Sequence, residues 1–274
     1  MKFFSTANLV FICFMVAVAA NTVCAGINVT PKFVFLDGSR RSVPVHVSNS
    51  GDQELEVWVE VRFGYISSDD TGKITIVADS ASMADEPSAA GWIKAFPERF
   101  ILGAGETQTI RFAAYPPVGL AAGEYWTRVY ITGKPRKPPA AKNAGVVILP
   151  QVGVPFHYRN GSMTTGLDVM DANTAVSEKT LNVTMKLAKI GNASYWGSRI
   201  MRLISENGNV VRTLTRNVVV YKTLTMCDKI DRADIPSGMY SLEYEFVTGK
   251  RMDLANSDLV QSPPVRSSLS VIIP

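Results

Sequence analysis

Histidine and cysteine are scarce: two and three residues respectively in a chain of 274. His46 and His157 stand more than 100 positions apart, so the sequence offers no histidine-rich metal centre, and a histidine-based triad would have two candidates to choose from. Charge is thin as well. A net charge of +4, from 28 basic and 24 acidic side chains, gives no concentrated field for nucleic acid. Collagen's glycine period is missing, and 46% hydrophobic residues is too much for a disordered tail. A packed globular protein remains.

The apolar run Leu9–Ala20 is twelve residues, short of the ~20 that span a bilayer. It follows Lys2 and precedes Val23-Cys24-Ala25, with small residues where a cleavage site needs them, so residues 1–25 read as a secretory signal peptide. A lipoprotein anchor through Cys24 would be preceded by leucine and small residues, which Asn21-Thr22-Val23 do not provide. Cleavage after Ala25 removes Cys13 and Cys24 and leaves Cys227 alone. The mature chain then enters an oxidising compartment without an internal disulfide, and core packing must hold it together.

Period-two alternation runs through most of the mature chain. Val43, Val45 and Val47 alternate with Pro44, His46 and Ser48; Leu55, Val57, Val59 and Val61 alternate with Glu54, Glu56, Trp58 and Glu60. Strands of similar character are expected at Ile27–Leu36, Lys73–Val77, Thr107–Ala114, Tyr125–Thr132 and Gly145–Tyr158, separated by Asp37-Gly38, Asn49-Ser50-Gly51, Gly103-Ala104-Gly105 and Pro116-Pro117. The helix-compatible stretch Asp79–Ala90 is interrupted by Pro87 and reads as a loop. A second series comprises Leu181–Lys189, Arg199–Glu206, Val210–Leu214, Asn217–Thr223, Met239–Val247 and Val265–Ile273, with Asn207-Gly208 as a hairpin signal. The expectation is an all-β chain of two immunoglobulin-like β-sandwich domains, 26–160 and 161–274. Trp58 shares the parity of the glutamates and is expected on the outer face of its sheet.

No nucleophile elbow, phosphate-cradling glycine loop or metal-ligand spacing is present, and acidic residues are scattered. His46 lies on the polar parity of its strand and His157 near a strand end, so the expectation is a non-enzyme without cofactor. Asn28, Asn160, Asn182 and Asn192 head glycosylation acceptors, relevant only in a eukaryotic secretory route. The basic, proline-containing stretch 133–144 reads as a solvated loop. Gly145-Val146-Val147-Ile148-Leu149-Pro150 is different, because both parities are apolar. Either it is a central strand covered twice, by the second domain or a loop, or it is the last strand of its domain and exposes an apolar row that a partner uses.

Four segments in order resemble the periplasmic pilus-assembly chaperones of the chaperone/usher pathway. They are Pro31-Lys32-Phe33-Val34-Phe35-Leu36-Asp37-Gly38 with the alternating valines after it, Pro97–Glu106 with Ile110-Arg111-Phe112, Gly123-Glu124-Tyr125-Trp126, and Phe156-His157-Tyr158-Arg159. The match covers residues 27–160, and the later half fits as a second sandwich without a sharp motif of its own. The resemblance implies a periplasmic chaperone that lends an edge strand to pilin-like subunits and passes them to an outer-membrane usher, touching the membrane only through that usher. Val146 and Ile148 would be the side chains it inserts.

The family also anchors the subunit's terminal carboxylate with two basic residues in the cleft between domains. Lys32 falls at the first of these, but the second aligns with Pro155, which has neither charge nor N–H. Pro150 likewise replaces an apolar donor. Either the register slips or another cation substitutes, and Arg128 on the preceding strand is the candidate, set against its being a solvated surface arginine. The alternative reading of the whole chain is an exported structural or adhesive sandwich that self-associates through its apolar edge.

Overall fold

Valines and isoleucines at alternate positions build the sheets, as period two requires. A computed structural model describes residues 26–78, 86–136, 149–249, 251 and 253–274. The expected signal peptide, residues 1–25, lies outside them. The first half contains β1 (Ile27–Thr30), β2 (Val34–Asp37), β3 (Ser42–Asn49), β4 (Leu55–Arg62), β5 (Gly64–Ser68), β6 (Ile74–Ala78), β7 (Ile93–Phe96), β8 (Arg99–Leu102), β9 (Thr107–Ala114), β10 (Gly123–Pro135) and β11 (Gln151–Asn160).

Two sheets, in the orders β1-β3-β9-β7 and β2-β11-β10-β4-β8, face each other across one core; β5 and β6 form a separate hairpin. Val45 and Val47 of β3 are fully buried while Pro44 and His46 are exposed. In β4 the buried set is Leu55 and Val57, and Trp58 lies half-buried on the opposite parity. Phe112 and Phe156 meet across the sandwich with ring centroids 4.7 Å apart. Burying each such apolar side chain contributes about 1.5–3 kcal/mol, and among the described residues it is this burial, with no disulfide, that holds the sheets together.

The second half contains β12 (Thr165–Val176), β13 (Thr180–Gly191), β14 (Tyr195–Ser205), β15 (Val210–Val220), β16 (Thr223–Asp231), β17 (Gly238–Val247) and β18 (Val265–Ile273). Its sheets run β12-β13-β16 and β15-β14-β17-β18. Gly208, at a φ of 78°, makes the turn between β14 and β15 that Asn207-Gly208 announces. The chain is thus two immunoglobulin-like β-sandwiches. The segment expected as one strand over Ile27–Leu36 is two, in different sheets, and Val210–Leu214 with Asn217–Thr223 is largely the single strand β15. Alternation did not reveal β12, because the register shifts between Val169 and Asp171 and reverses the parity of its side chains.

Aromatic side chains join the two sandwiches. Phe35, Phe63, Tyr65 and Trp126 from the first meet Trp196, Tyr221 and Leu259 from the second in one buried cluster. The β5–β6 hairpin reaches across as well, where the amide of Thr225 donates to the Ser68 hydroxyl at 2.6 Å. Gly72 in the hairpin turn sits directly against Cys227.

Candidate functional site: an open strand edge above a basic cleft

The chain changes sheets at its start. β1 pairs with β3, and after Pro31–Phe33 the chain joins the opposite sheet as β2, running parallel to β11 over Phe156–Arg159. β10 covers the other side of β11 along its whole length. Residues Gln151–Pro155 therefore have a strand on one side and, among the described residues, none on the other. Even-numbered Val152, Val154, Phe156 and Tyr158 pack into their own core.

Beneath this edge lies a cavity of about 450 Å³ walled by β1, Phe33, Ile66 and Val152–Pro155, with Lys32 and Arg128 as its charged residues. The two basic residues suggested by the sequence thus face the same space. Lys32 is exposed on the link between β1 and β2. Arg128 is directly opposite Pro155 in the β10–β11 register, and cross-strand neighbours share a face. Arg128 accordingly stands beside Pro155, the position at which the sequence resemblance implies a cation.

Arg128 is no surface arginine, being 7% exposed. Its Nη2 donates to the Gly153 carbonyl at 3.3 Å, while Nε and Nη1 have no hydrogen-bond partner. Two glycines make room for it. A Cβ at Gly153 would lie 3.2 Å from Nη2, and one at Gly64 would lie 3.2 Å from Cδ. A desolvated guanidinium with vacant donors is costly until an acceptor, best an anion, takes them.

Val146 and Ile148, the candidate inserted residues, lie outside the described residues. Leu149, the first described residue after them, is exposed, and the Pro150 carbonyl accepts from the Gly133 amide at 2.9 Å, extending the β10–β11 pairing by one step.

The two histidines have different surroundings. His46 is exposed on β3 and shares a hydrogen bond with the Thr109 hydroxyl at 3.0 Å. His157 is buried between Phe35 and Tyr221, with centroids 4.8 and 5.6 Å away and the rings nearly parallel. Its Nδ1 faces the Val34 carbonyl at 3.4 Å, which can only accept, so Nδ1–H donates and Nε2 accepts from the Tyr221 hydroxyl at 2.9 Å. Burial drives the His157 pKa down to about 4, with the Arg159 charge adding to it against the pull of Glu124. The Tyr221 hydroxyl is pushed well up by burial and keeps its proton. The ring is a neutral pin between domains.

Beside it, buried Glu124 accepts from Trp126 Nε1 at 3.0 Å, from the Ser194 hydroxyl, and from Arg159 Nε at 2.9 Å. Burial pushes the Glu124 carboxyl up, but His157 when protonated, the Arg159 guanidinium and the Ser194 hydroxyl together hold it below the usual carboxylate value. Arg159 also donates to the Asp258 carbonyl at 2.7 Å. These groups fix the angle between domains, and nothing in the sequence alone pairs Glu124 with Ser194. Among the described residues no three His, Cys, Asp or Glu side chains converge in a way that could hold a metal ion.

No protein-family model matches the chain, and no curated protein matches it. Solved structures similar to it include the class 5 fimbriae chaperone CfaA, at 12% identity over 91% of this chain and 100% of that chain, with a TM-score of 0.46. The CsuC–CsuE chaperone–tip adhesion subunit complex from the archaic chaperone-usher Csu pili of Acinetobacter baumannii is similar at 13% identity over 88% and 98%, TM-score 0.46. The Salmonella enterica SafA pilin in complex with the SafB chaperone gives 12% identity over 90% and 98%, TM-score 0.43.

Proposed function

We propose that the chain is a non-enzymatic periplasmic chaperone of pilus assembly, binding incomplete pilin-like subunits by donor-strand complementation and delivering them to an outer-membrane usher. The observation that carries this reading is Arg128: a buried guanidinium with two vacant donors, placed where the edge of β11 opens. A strand from the client pairing with Gln151–Pro155 would end at this cleft. Its terminal carboxylate can accept a charge-assisted hydrogen bond from one of the vacant donors, and Lys32 adds a second charge.

Val146 and Ile148, which precede β11 in the chain, would enter the client's groove, each contributing about 1.5–3 kcal/mol of burial, with main-chain hydrogen bonds fixing the register. Pro155 offers no N–H to a guest strand, so the carboxylate contact is made from the neighbouring strand.

The test is co-expression with a candidate small secreted β-sandwich subunit. A one-to-one soluble complex is expected. Arg128→Glu, or Val146→Asp with Ile148→Asp, should abolish it. Arg128→Ala should change the thermal stability of the free chain little, because the one long Nη2 bond to the Gly153 carbonyl that is lost is offset by removing a desolvated guanidinium with two unpartnered donors. A complex unaffected by all of these substitutions overturns the reading.

A further inference from the structure

Ile66 lines the basic cleft and also a second groove, of about 320 Å³, between the β5–β6 hairpin and the second sandwich. This second groove runs between Ile66 and Ile74 on the hairpin and the strands β15 and β16, and ends at Cys227. The hairpin wall is unusually apolar for exposed surface. Ile66 stands opposite Ile76, and Ser68 opposite Ile74, so the three isoleucines share one face. Ile74 is 57% and Ile76 48% exposed. β6 belongs to a sheet of two strands, and its outer edge carries no strand among the described residues. An Ile-Thr-Ile-Val-Ala edge left bare invites strand pairing.

The charge of the groove favours one kind of guest. Arg216 is the charged residue on its lining, and it shares the Asp228 carboxylate with Arg199. Two guanidiniums on one carboxylate leave a positive excess, and Arg199 is wholly buried with Nε and Nη2 unbonded. Asp69, in the adjacent turn, is spent locally: its carboxylate accepts from the Thr71 amide and hydroxyl and from the Lys73 amide. A guest here meets apolar walls, a free backbone edge and uncompensated positive charge.

We propose that this groove is a second seat for the client, taking an extended segment that pairs with β6, lays apolar side chains on Ile66, Ile74 and Ile76, and sets a carboxylate against Arg216. The proposal rests on the chaperone reading, and it deepens it: the client contact is continuous from the open edge of β11, past Ile66, to the second domain. Client recognition then depends on both sandwiches and on the angle that His157 and Glu124 maintain.

Cys227 supplies the probe, since its thiol is exposed at the end of the groove. The rate of its reaction with 5,5′-dithiobis(2-nitrobenzoate) is measured on the free chain and on the purified complex with the co-expressed subunit. The thiol should react at least about tenfold more slowly in the complex, and Ile76→Lys or Arg216→Glu should each weaken the complex by about tenfold, as expected of well-seated contacts. Both substitutions are at exposed positions, and circular dichroism of each variant checks that it folds. A purified complex with an unprotected thiol, or one indifferent to Ile76→Lys, overturns the second seat and leaves the chaperone reading standing. Failure to form any complex removes both.

Discussion

Acidification from pH 7 to pH 5 should destabilise the protein through one residue, His157. An unfolded histidine titrates near 6.5, whereas burial has carried His157 down to about 4. Between those values the unfolded chain binds a proton that the folded chain refuses, so stability falls as pH falls and levels off below the folded pKa. At pH 5 the two constants correspond to a loss of about 2 kcal/mol relative to pH 7, rising to about 3 kcal/mol below pH 4. Glu124 acts in the opposite region. Its folded pKa is depressed, so its contribution is intact above the ordinary carboxylate value and fades only at lower pH. Urea titrations monitored by tryptophan fluorescence read the effect as a midpoint about 1 M lower at pH 5, for a slope of ~2 kcal/mol per molar. His157→Phe keeps a ring between Phe35 and Tyr221 but cannot titrate. It should start less stable, having lost two hydrogen bonds, and lose little more on acidification. Equal losses in the wild type and the variant between pH 7 and pH 5 would refute the assignment of the effect to this ring.

Three other outcomes are expected at buried or strained positions. Glu124→Ala should cost about 3–5 kcal/mol in chemical denaturation, because it strands Arg159 and unties Ser194 and Trp126. Asp228→Asn should cost a comparable ~3–5 kcal/mol by leaving Arg199 uncompensated inside the second sandwich, measured the same way. Gly72→Ala should cost at least about 1 kcal/mol, because Gly72 has a φ of 79° and its Cβ would sit 2.8 Å from Cys227 Sγ; a matched drop in melting temperature checks it.

Alternation was enough to place the strands whose two faces differ most. Thr107–Ala114 and Val265–Ile273 occur with the bounds that period two predicts. It failed where a local event breaks the pattern without changing composition. The hydrophobic series from Ile27 to Leu36 continues smoothly while the chain passes from one sheet to the other, and the bulge after Val169 reverses which residues face the core. Arg128 could be singled out only because Pro155 lacks a charge; its burial and its vacant donors come from the register and from Gly64 and Gly153, which no linear pattern reports. The His157–Tyr221 and Glu124–Ser194 contacts join residues 64 and 70 positions apart in different sandwiches. They depend on how two independently legible halves meet, so they leave no periodic trace. The apolar row that prompted the functional reading, Val146 and Ile148, falls outside the described residues.

The early crossing of the chain has a consequence for how readily the molecule can change. β2 begins where β1 has already committed four residues to the opposite sheet. Extending β2 backwards to cap the upper part of β11 would mean unzipping β1 from β3, so the gap cannot be closed by any point substitution that merely improves strand propensity. Among the described residues the opening is an obligation of connectivity rather than of side-chain chemistry, and substitutions around it leave it in place.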